Sequence, residues 1–281
     1  MSNIDKSYIN LTLDKLSVES GDCIFLTAGF GTIQVFENLS ELEDLFLLFT
    51  RTLSDRIEHG TIIVPTYSYS FSDTFEKSIY NIQQTKSKLG LYSNWFLKNF
   101  GKIRTRDPMI SCSFSNLELG KDFATNIDSS YGFNSLFHKL LITDNQVKIL
   151  NLGLGVKWMP FIHYLDFVCE SKYRYKKTFY GKLIDQEVES DLTWEYHVAV
   201  RHSSTRGSGE KVGLAAKSQG LWQFSEFGLS DICVIDYRKY FGFSKNCTLN
   251  DPWSLVVGPP LSESDLNFYL TKEMRNTKLI Q

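Results

Sequence analysis

The sequence predicts an α/β protein: a central, largely parallel sheet flanked by helices, with an antiparallel β insertion or lobe. Three observations carry this. The apolar runs Cys23–Ala28, after Ser20-Gly21-Asp22, and Thr61–Val64, after Gly60, have the composition of strands buried on both faces. A segment of helical period lies between them, so the three together form a βαβ unit. From about Tyr173 to Val200 the texture changes: Tyr173, Tyr175, Phe179, Trp194, Tyr196, Val198 and Val200 fall in alternating aromatic and β-branched runs, as antiparallel strands require.

The first helix is predicted to open at the capping box Ser40-Glu41-Leu42-Glu43 and to bury Leu42, Leu45, Phe46, Phe49 and Leu53. A short helix is expected over Ser135–Leu141, a buried strand over Val147–Leu152, and a helix over Phe161–Val168 entered just after Pro160. Gly207-Ser208-Gly209 reads as a mobile loop, and Ser262-Glu263-Ser264-Asp265 opens a C-terminal helix. With no repeat or low-complexity tract, the expected division is a core over residues 1–172, an antiparallel lobe over 173–230 and a helical part over 231–281 that returns to the core.

The chain has 281 residues, enough for a substantial core, and a net charge of −2 from 30 basic and 32 acidic side chains. A chain so nearly neutral, with a pI near 6.2, sets up no field to draw it to nucleic acid or an anionic membrane. The start lacks the basic and apolar segments of a signal peptide, and no apolar run is long enough to span a bilayer, so the expected location is cytoplasmic. The five cysteines form no CxxC pair and are expected to be reduced and mostly buried. The sequons at Asn10, Asn38 and Asn246 carry no meaning there.

Two GxG fragments, Gly29-Phe30-Gly31 and Gly153-Leu154-Gly155, follow strands but lack the third glycine of a dinucleotide fingerprint. A tight turn leaving a buried strand is the commoner outcome for both, and such turns also bring backbone close to ligands. Gly207–Lys211 lacks the spacing of a phosphate loop. His197 and His202 are five apart with no carboxylate at metal-ligand spacing, so no metal site is expected. His59 and His138 are given no role. His163 opens a helix after a buried strand and turn, with Asp166 one helical turn on. By position alone, a histidine satisfied within the core is commoner than a catalytic base.

From about Ser20 to Gly181 the sequence resembles the aminoglycoside 3-N-acetyltransferase family. Gly21-Asp22 and the strand to Gly29 resemble its opening, and Gly60-Thr61 through Pro65-Thr66-Tyr67-Ser68 is similar to its "GT, apolar, PT" strand. Leu89-Gly90, Trp95-Phe96 and Arg104 to Ser111 resemble its "G, wfR, RS, HP, S" run, and Asn134-Ser135-Leu136 its "SPL". Leu150–Gly155 with His163 to Asp166 resembles "LLLG, TxLH, xxE". The blocks are collinear, which makes them jointly specific.

The resemblance implies an acyltransferase that carries an acyl group from coenzyme A to a primary amine by direct attack. An ammonium is no nucleophile, so the amine must lose a proton, and the thioester oxygen needs preorganised donors. His163 is carried over as general base and Asp166 as its orienting carboxylate. Asp107 replaces the family's HP histidine and is left between base, orienter and substrate binder. Thr27, Ala28, Gly29, Thr66, Ser68, Arg104 and Ser111 are the implied acyl-CoA contacts. Thr27-Ala28-Gly29 replaces the family's "HSS" and Pro160 its threonine, so the acyl group is left between acetyl and 3-hydroxybutanoyl.

Drug-modifying members profit from an acidic cleft, which this neutral chain with 21 Phe and 14 Tyr does not favour. Arg174, Lys177, Arg201 and Arg206 lie in basic, aromatic-interleaved stretches suited to a diphosphate and a stacked base, although a solvated basic face is the commoner reading of each. The expected acceptor is therefore a nucleotide-linked, dTDP-type amino-deoxy sugar used for surface polysaccharide, a substrate of one branch of the family. An antibiotic acetyltransferase and a noncatalytic CoA or sugar-nucleotide binding protein are the alternatives. Exposed aromatic faces leave room for a homo-oligomer.

Overall fold

The computed structural model describes residues 4–72 and 78–278. Its elements begin α1 (Lys6–Lys15), β1 (Cys23–Ala28), α2 (Leu39–Ile57), β2 (Thr61–Pro65), β3 (Ile79–Asn81), α3 (Leu91–Asn99), β4 (Ile103–Arg104) and β5 (Cys112–Phe114). They continue with α4 (Leu117–Ala124), α5 (Leu136–Ile142), β6 (Val147–Leu152), α6 (Ile162–Val168), β7 (Arg174–Asp185) and β8 (Val188–Ala199). The last are α7 (Glu210–Ser218), β9 (Gln223–Phe227), β10 (Ser230–Asp236), α8 (Tyr237–Asn250) and α9 (Glu263–Lys278).

The main sheet runs β4-β5-β2-β1-β6-β10-β9 among the described residues. β1 is parallel to both β2 and β6, pairing Cys23 with Thr61 and with Val147, so the βαβ unit forms its centre. Both flanks are antiparallel. Strand alternation sorts side chains to two cores. Cys23 and Phe25 join Ile63, Ile149 and Ile235 on one face, while Ile24 and Leu26 join Ile62, Val64 and Leu150 on the other. Helices α1 and α2 cover the second face with Leu13, Phe46, Phe49 and Leu53. Helices α5, α6 and α8 cover the first with Phe137, Leu165 and Phe241. Each such fully buried side chain contributes roughly 1.5–3 kcal/mol over its exposed state.

The capping box of α2 sits two residues earlier than expected. Asn38 accepts from the Glu41 amide at 3.1 Å, and the Glu41 carboxylate accepts from the Glu37 amide at 3.0 Å. Asn caps as well as Ser, and Glu41 stands at the required third position, so the earlier pair forms. The expected antiparallel stretch is the hairpin β7–β8, twelve residues a strand, turned through Gln186 and Glu187 at φ 47° and 71°. That turn has the handedness that matches strand twist. With β3 the hairpin forms a second sheet.

Three expectations fail here. β9, expected inside the lobe, edges the main sheet, and the supposedly helical last part opens with a strand, β10. The loop Gly207-Ser208-Gly209 is also tied down. The Ser208 amide donates to Leu255 O at 2.8 Å, the Val257 amide to Arg206 O at 3.0 Å and the Gly258 amide to Ser204 O at 2.9 Å. All five cysteines are unpaired, and Cys23, Cys112 and Cys233 are buried. No described helix is long and apolar enough to cross a membrane.

Candidate active site

The carboxyl ends of the parallel strands β1, β2 and β6 lie along one edge of the sheet, where open α/β sheets place their ligands. The chain leaves β1 at Gly29 and β6 at Gly153, whose φ is +68°. The two turns pack on each other: a Cβ on Gly29 would meet Leu154 Cδ2 at 2.8 Å, and one on Gly153 would collide with Thr32 Oγ1. Beneath them the buried Asn151 accepts from Thr27 Oγ1 at 2.5 Å and donates to Gly155 O at 2.8 Å and Trp158 O at 3.1 Å. This fixes the path from β6 to α6.

His163 is the second residue of α6, and Asp166 lies one turn on. The chain reverses at Glu170, with φ +51°, and returns over the helix as β7, whose first residue is Arg174. Arg174 Nε donates to Asp166 Oδ2 at 2.5 Å, Nη1 donates to His197 O at 2.9 Å, and Nη2 contacts His163 Nδ1. The other Asp166 oxygen accepts from Tyr173 Oη at 2.5 Å and Ser171 Oγ at 2.8 Å. Asp166 Oδ2 is 3.5 Å from His163 Nδ1, too far for a good hydrogen bond. The expected orienting contact between Asp166 and His163 therefore runs through Arg174, which grips both.

Burial opposes charge on Asp166, but Arg174, His163 and Tyr173 outweigh it and hold the carboxyl below its usual range. Burial and the Arg174 charge push His163 down to about 4, so its ring is neutral at pH 7. The side chain is 26% exposed. It is bounded by Gly207, where a Cβ would lie 2.9 Å from His163 Cε1, and by Tyr131, whose ring stands edge-on at 5.3 Å.

Tyr131 was not singled out in the sequence. It stands in an irregular Ser-Tyr-Gly segment before α5, where no periodicity marks it, and the Ser130-Tyr131-Gly132 turn was the only signal to hand. Its hydroxyl lies 3.4 Å from that of Tyr196, and both line a cavity of about 240 Å³ with Phe133, Phe167, His197 and Glu195. Nδ1 of His197 is buried there without a partner.

Asp107 is buried, with the side chain of Ser130, next to Tyr131, among the hydrogen-bond partners of its carboxylate. Its Oδ1 accepts from the amides of Met109 at 2.7 Å and Ile110 at 3.0 Å. Burial pushes its carboxyl up to about 6 against those bonds. Its charge, after burial, is among the influences that raise the hydroxyls of Tyr67, Tyr69 and Tyr80. No hydrogen bond or ion pair joins Asp107 to His163 among the described residues.

Several expected contacts are occupied within the protein. Arg104 is buried and donates to Thr66 O at 2.7 Å, Thr85 O at 2.6 Å and Ile82 O at 3.1 Å, which leaves it unfit as a phosphate partner. Thr66 and Ser111 hydroxyls bond each other at 3.2 Å, Ser68 donates to Pro108 O at 2.9 Å, and all three residues are buried. Thr27 is spent on Asn151, and the Gly29 amide donates to Leu152 O at 2.8 Å. These residues, with Ala28 at the strand end, brace the edge of the sheet. Arg174 is likewise buried in its ion pair and not offered to a sugar nucleotide. Lys177 lies over the Phe179 ring at 5.0 Å. Arg201 and Arg206 are exposed, and Arg206 directly precedes Gly207 at the His163 ring. No cluster suited to a metal ion occurs among the described residues.

A sequence model of the family described as Aminoglycoside 3-N-acetyltransferase matches residues 40–247. No curated protein matches the sequence. Among solved structures, the YokD protein from Bacillus subtilis is 15% identical, with a TM-score of 0.71 over 90% of this chain and 96% of that one. AAC-IIIb in binary complex with CoASH is 13% identical, with a TM-score of 0.74 over 92% and 99%. AAC-VIa bound to sisomicin is 14% identical, with a TM-score of 0.71 over 88% and 97%. At these identities the likeness is one of fold.

Proposed function

This chain belongs to the aminoglycoside 3-N-acetyltransferase family and is an acyl-CoA-dependent N-acyltransferase, and from that premise we propose that its acceptor is the amino group of a nucleotide-linked amino-deoxy sugar. The observation that carries this reading is the charge around His163. The carboxylate beside the ring, Asp166, is neutralised by Arg174, and the exposed side chain next to the ring's Gly207 boundary is a second cation, Arg206. Such a mouth repels a polycation and suits a diphosphate. The aromatic cavity beside Tyr131 and Tyr196 would take the apolar face of a deoxy sugar or a base.

His163 is proposed to meet the reacting atoms, with Asp166 and Arg174 holding its ring. The acyl group, acetyl or 3-hydroxybutanoyl, arrives as a thioester, and the amine displaces CoA thiol. The coenzyme complex of AAC-IIIb supports CoA as the donor here. Family membership itself favours a second reading, an aminoglycoside acceptor, and the structure of AAC-VIa is bound to sisomicin.

Thiol release from acetyl- and 3-hydroxybutanoyl-CoA, followed with a panel of dTDP- and UDP-linked amino sugars and an aminoglycoside, tests the proposal. Turnover on a nucleotide-linked acceptor, lowered at least ~100-fold in His163→Ala, is expected. Turnover on the aminoglycoside alone would select the second reading.

A further inference from the structure

We propose that the cavity outside edge strand β4 is a second ligand site, distinct from the one at His163, that takes a phosphate-bearing anion of nucleotide size with Arg106 as its anchor. The main sheet ends at β4. Beyond that strand a cavity of about 630 Å³ opens between α3, α4 and the ends of β3 and β7. None of its lining residues lines the cavity beside Tyr131. Across the sheet, β4 stands four strand spacings from β6, the strand that leads to His163, or ~19 Å at ~4.8 Å each. The site is therefore independent of which amine the protein acylates.

Charge marks this cavity. Lys102, Arg104, Arg106 and Lys121 line it against one carboxylate, Asp185, an excess of three positive charges in a chain whose net charge is −2. Asp185 is itself engaged, its Oδ1 accepting from Gln83 Nε2 at 2.8 Å. Arg104 gives its donors to carbonyls and hydroxyls, Thr85 O and Thr66 O among them, so it adds charge and no free donor. Lys121 meets Glu118 at 3.0 Å in a pair exposed on both sides, which holds it weakly. Lys102 is exposed and has no ion pair among the described residues.

Arg106 carries the inference furthest. No protein group accepts from it among the described residues, and its Nε is buried without a partner. A guanidinium stays charged at neutral pH and carries five donors in a planar fork. Enclosing such a group without an acceptor is unfavourable unless something else supplies the oxygens. Phosphate oxygens match the fork two at a time, and a phosphate ester brings a charge of about −1.5 to −2, which suits three excess cations better than a carboxylate does. Leu97, Ile103, Leu117 and Ala124 add apolar wall. The volume lies within the ~300–1,000 Å³ of small-molecule sites, which leaves room for the organic body that carries the phosphate.

Pyrophosphate titrated into the full chain at low salt, followed by calorimetry and by the 15N spectrum of the arginine Nε–H groups, tests the site. Saturable binding at or below ~1 mM is expected, with a shift in one Nε–H resonance that is missing from Arg106→Gln. Arg106→Gln should weaken binding at least ~10-fold. Lys102→Gln, at an exposed side chain that folding does not need, should weaken it ~3-fold. Pyrophosphate should also raise the urea midpoint of wild type and leave that of Arg106→Gln in place. No saturable binding, or equal binding in wild type and Arg106→Gln, overturns the proposal. CoA, a dTDP-linked sugar and ADP bring the same chemistry from three sources, and the one that displaces pyrophosphate from the assigned resonance identifies the occupant. Displacement by none of the three overturns a ligand of nucleotide size. Binding is read without turnover, so a protein silent toward every amine would defeat the transfer reading and leave this one standing.

Discussion

Arg174 shows how little a residue's type reveals about its use. In the sequence it stands in a basic, aromatic stretch and reads as a phosphate contact; in the fold it is buried against Asp166, with its donors spent on Asp166, His197 and His163. Arg174→Met should strip a buried carboxylate of its partner and destabilise the protein by about 3–5 kcal/mol, read as a lowered midpoint of urea unfolding. His163 follows a strand and a turn with Asp166 one helical turn on, which by itself favours a histidine satisfied within the core; the family resemblance singled it out, and the Arg174 that grips its ring comes from eleven residues on. The acid limb of stability is a second prediction. His163 and His197 are each held down to about 4 by burial and by Arg174, against ~6.5 in an unfolded chain. Their contribution is intact above pH ~6.5 and is lost on acidification, because the unfolded chain binds the protons first. Asp107, pushed up to about 6 by burial, acts in the opposite sense and offsets one of the two. The net is about one proton, so stability should fall on the order of 1.4 kcal/mol per pH unit between about pH 6 and 4. His163→Gln should flatten that slope, and a wild-type slope of the opposite sign would contradict the titration.

At the scale of elements, strands buried on both faces were the easiest to read: Cys23–Ala28 and Val147–Leu152 stand where their apolar runs placed them. β10 carried the same signal in Ile232-Cys233-Val234-Ile235, yet its place beside β6 is set by antiparallel pairing that a local pattern does not encode. The pairing of β3 with β7, residue 79 with residue 182, is equally invisible in sequence. The Gly207 segment gives a prediction of its own. Its glycines resemble a mobile loop because sequence shows composition and not the bonds to Leu255, Arg206 and Ser204. Gly207→Ala would place a Cβ 2.9 Å from His163 Cε1 and displace the ring. We expect kcat to fall ~10–100-fold with unfolding free energy changed by less than ~1 kcal/mol. Unchanged kcat in a folded Gly207→Ala protein would show that the ring's seat beside this loop does not matter.

For the whole molecule, a net charge of −2 gives no long-range steering, so acceptor choice must come from local charge at the mouth. Arg206 is exposed and precedes Gly207, which borders the ring, while Arg174 cancels the buried Asp166 carboxylate. An anionic acceptor met by exposed cations should lose affinity as salt rises, since the Debye length shrinks from ~10 Å at 0.1 M to ~3 Å at 1 M. KM for the acceptor is therefore expected to rise with added salt and to rise in Arg206→Gln, with kcat little altered. Fold and reaction class were readable because blocks across the chain preserve order and spacing. The acceptor was not, because it depends on which charges the fold cancels. The most direct measurement is the ratio of kcat/KM for a nucleotide-linked amino-deoxy sugar to that for an aminoglycoside, with one acyl-CoA as common donor. The account predicts a ratio above ~100, about 2.7 kcal/mol of discrimination; a ratio below one would contradict it and place this chain among enzymes that acylate polycationic amines.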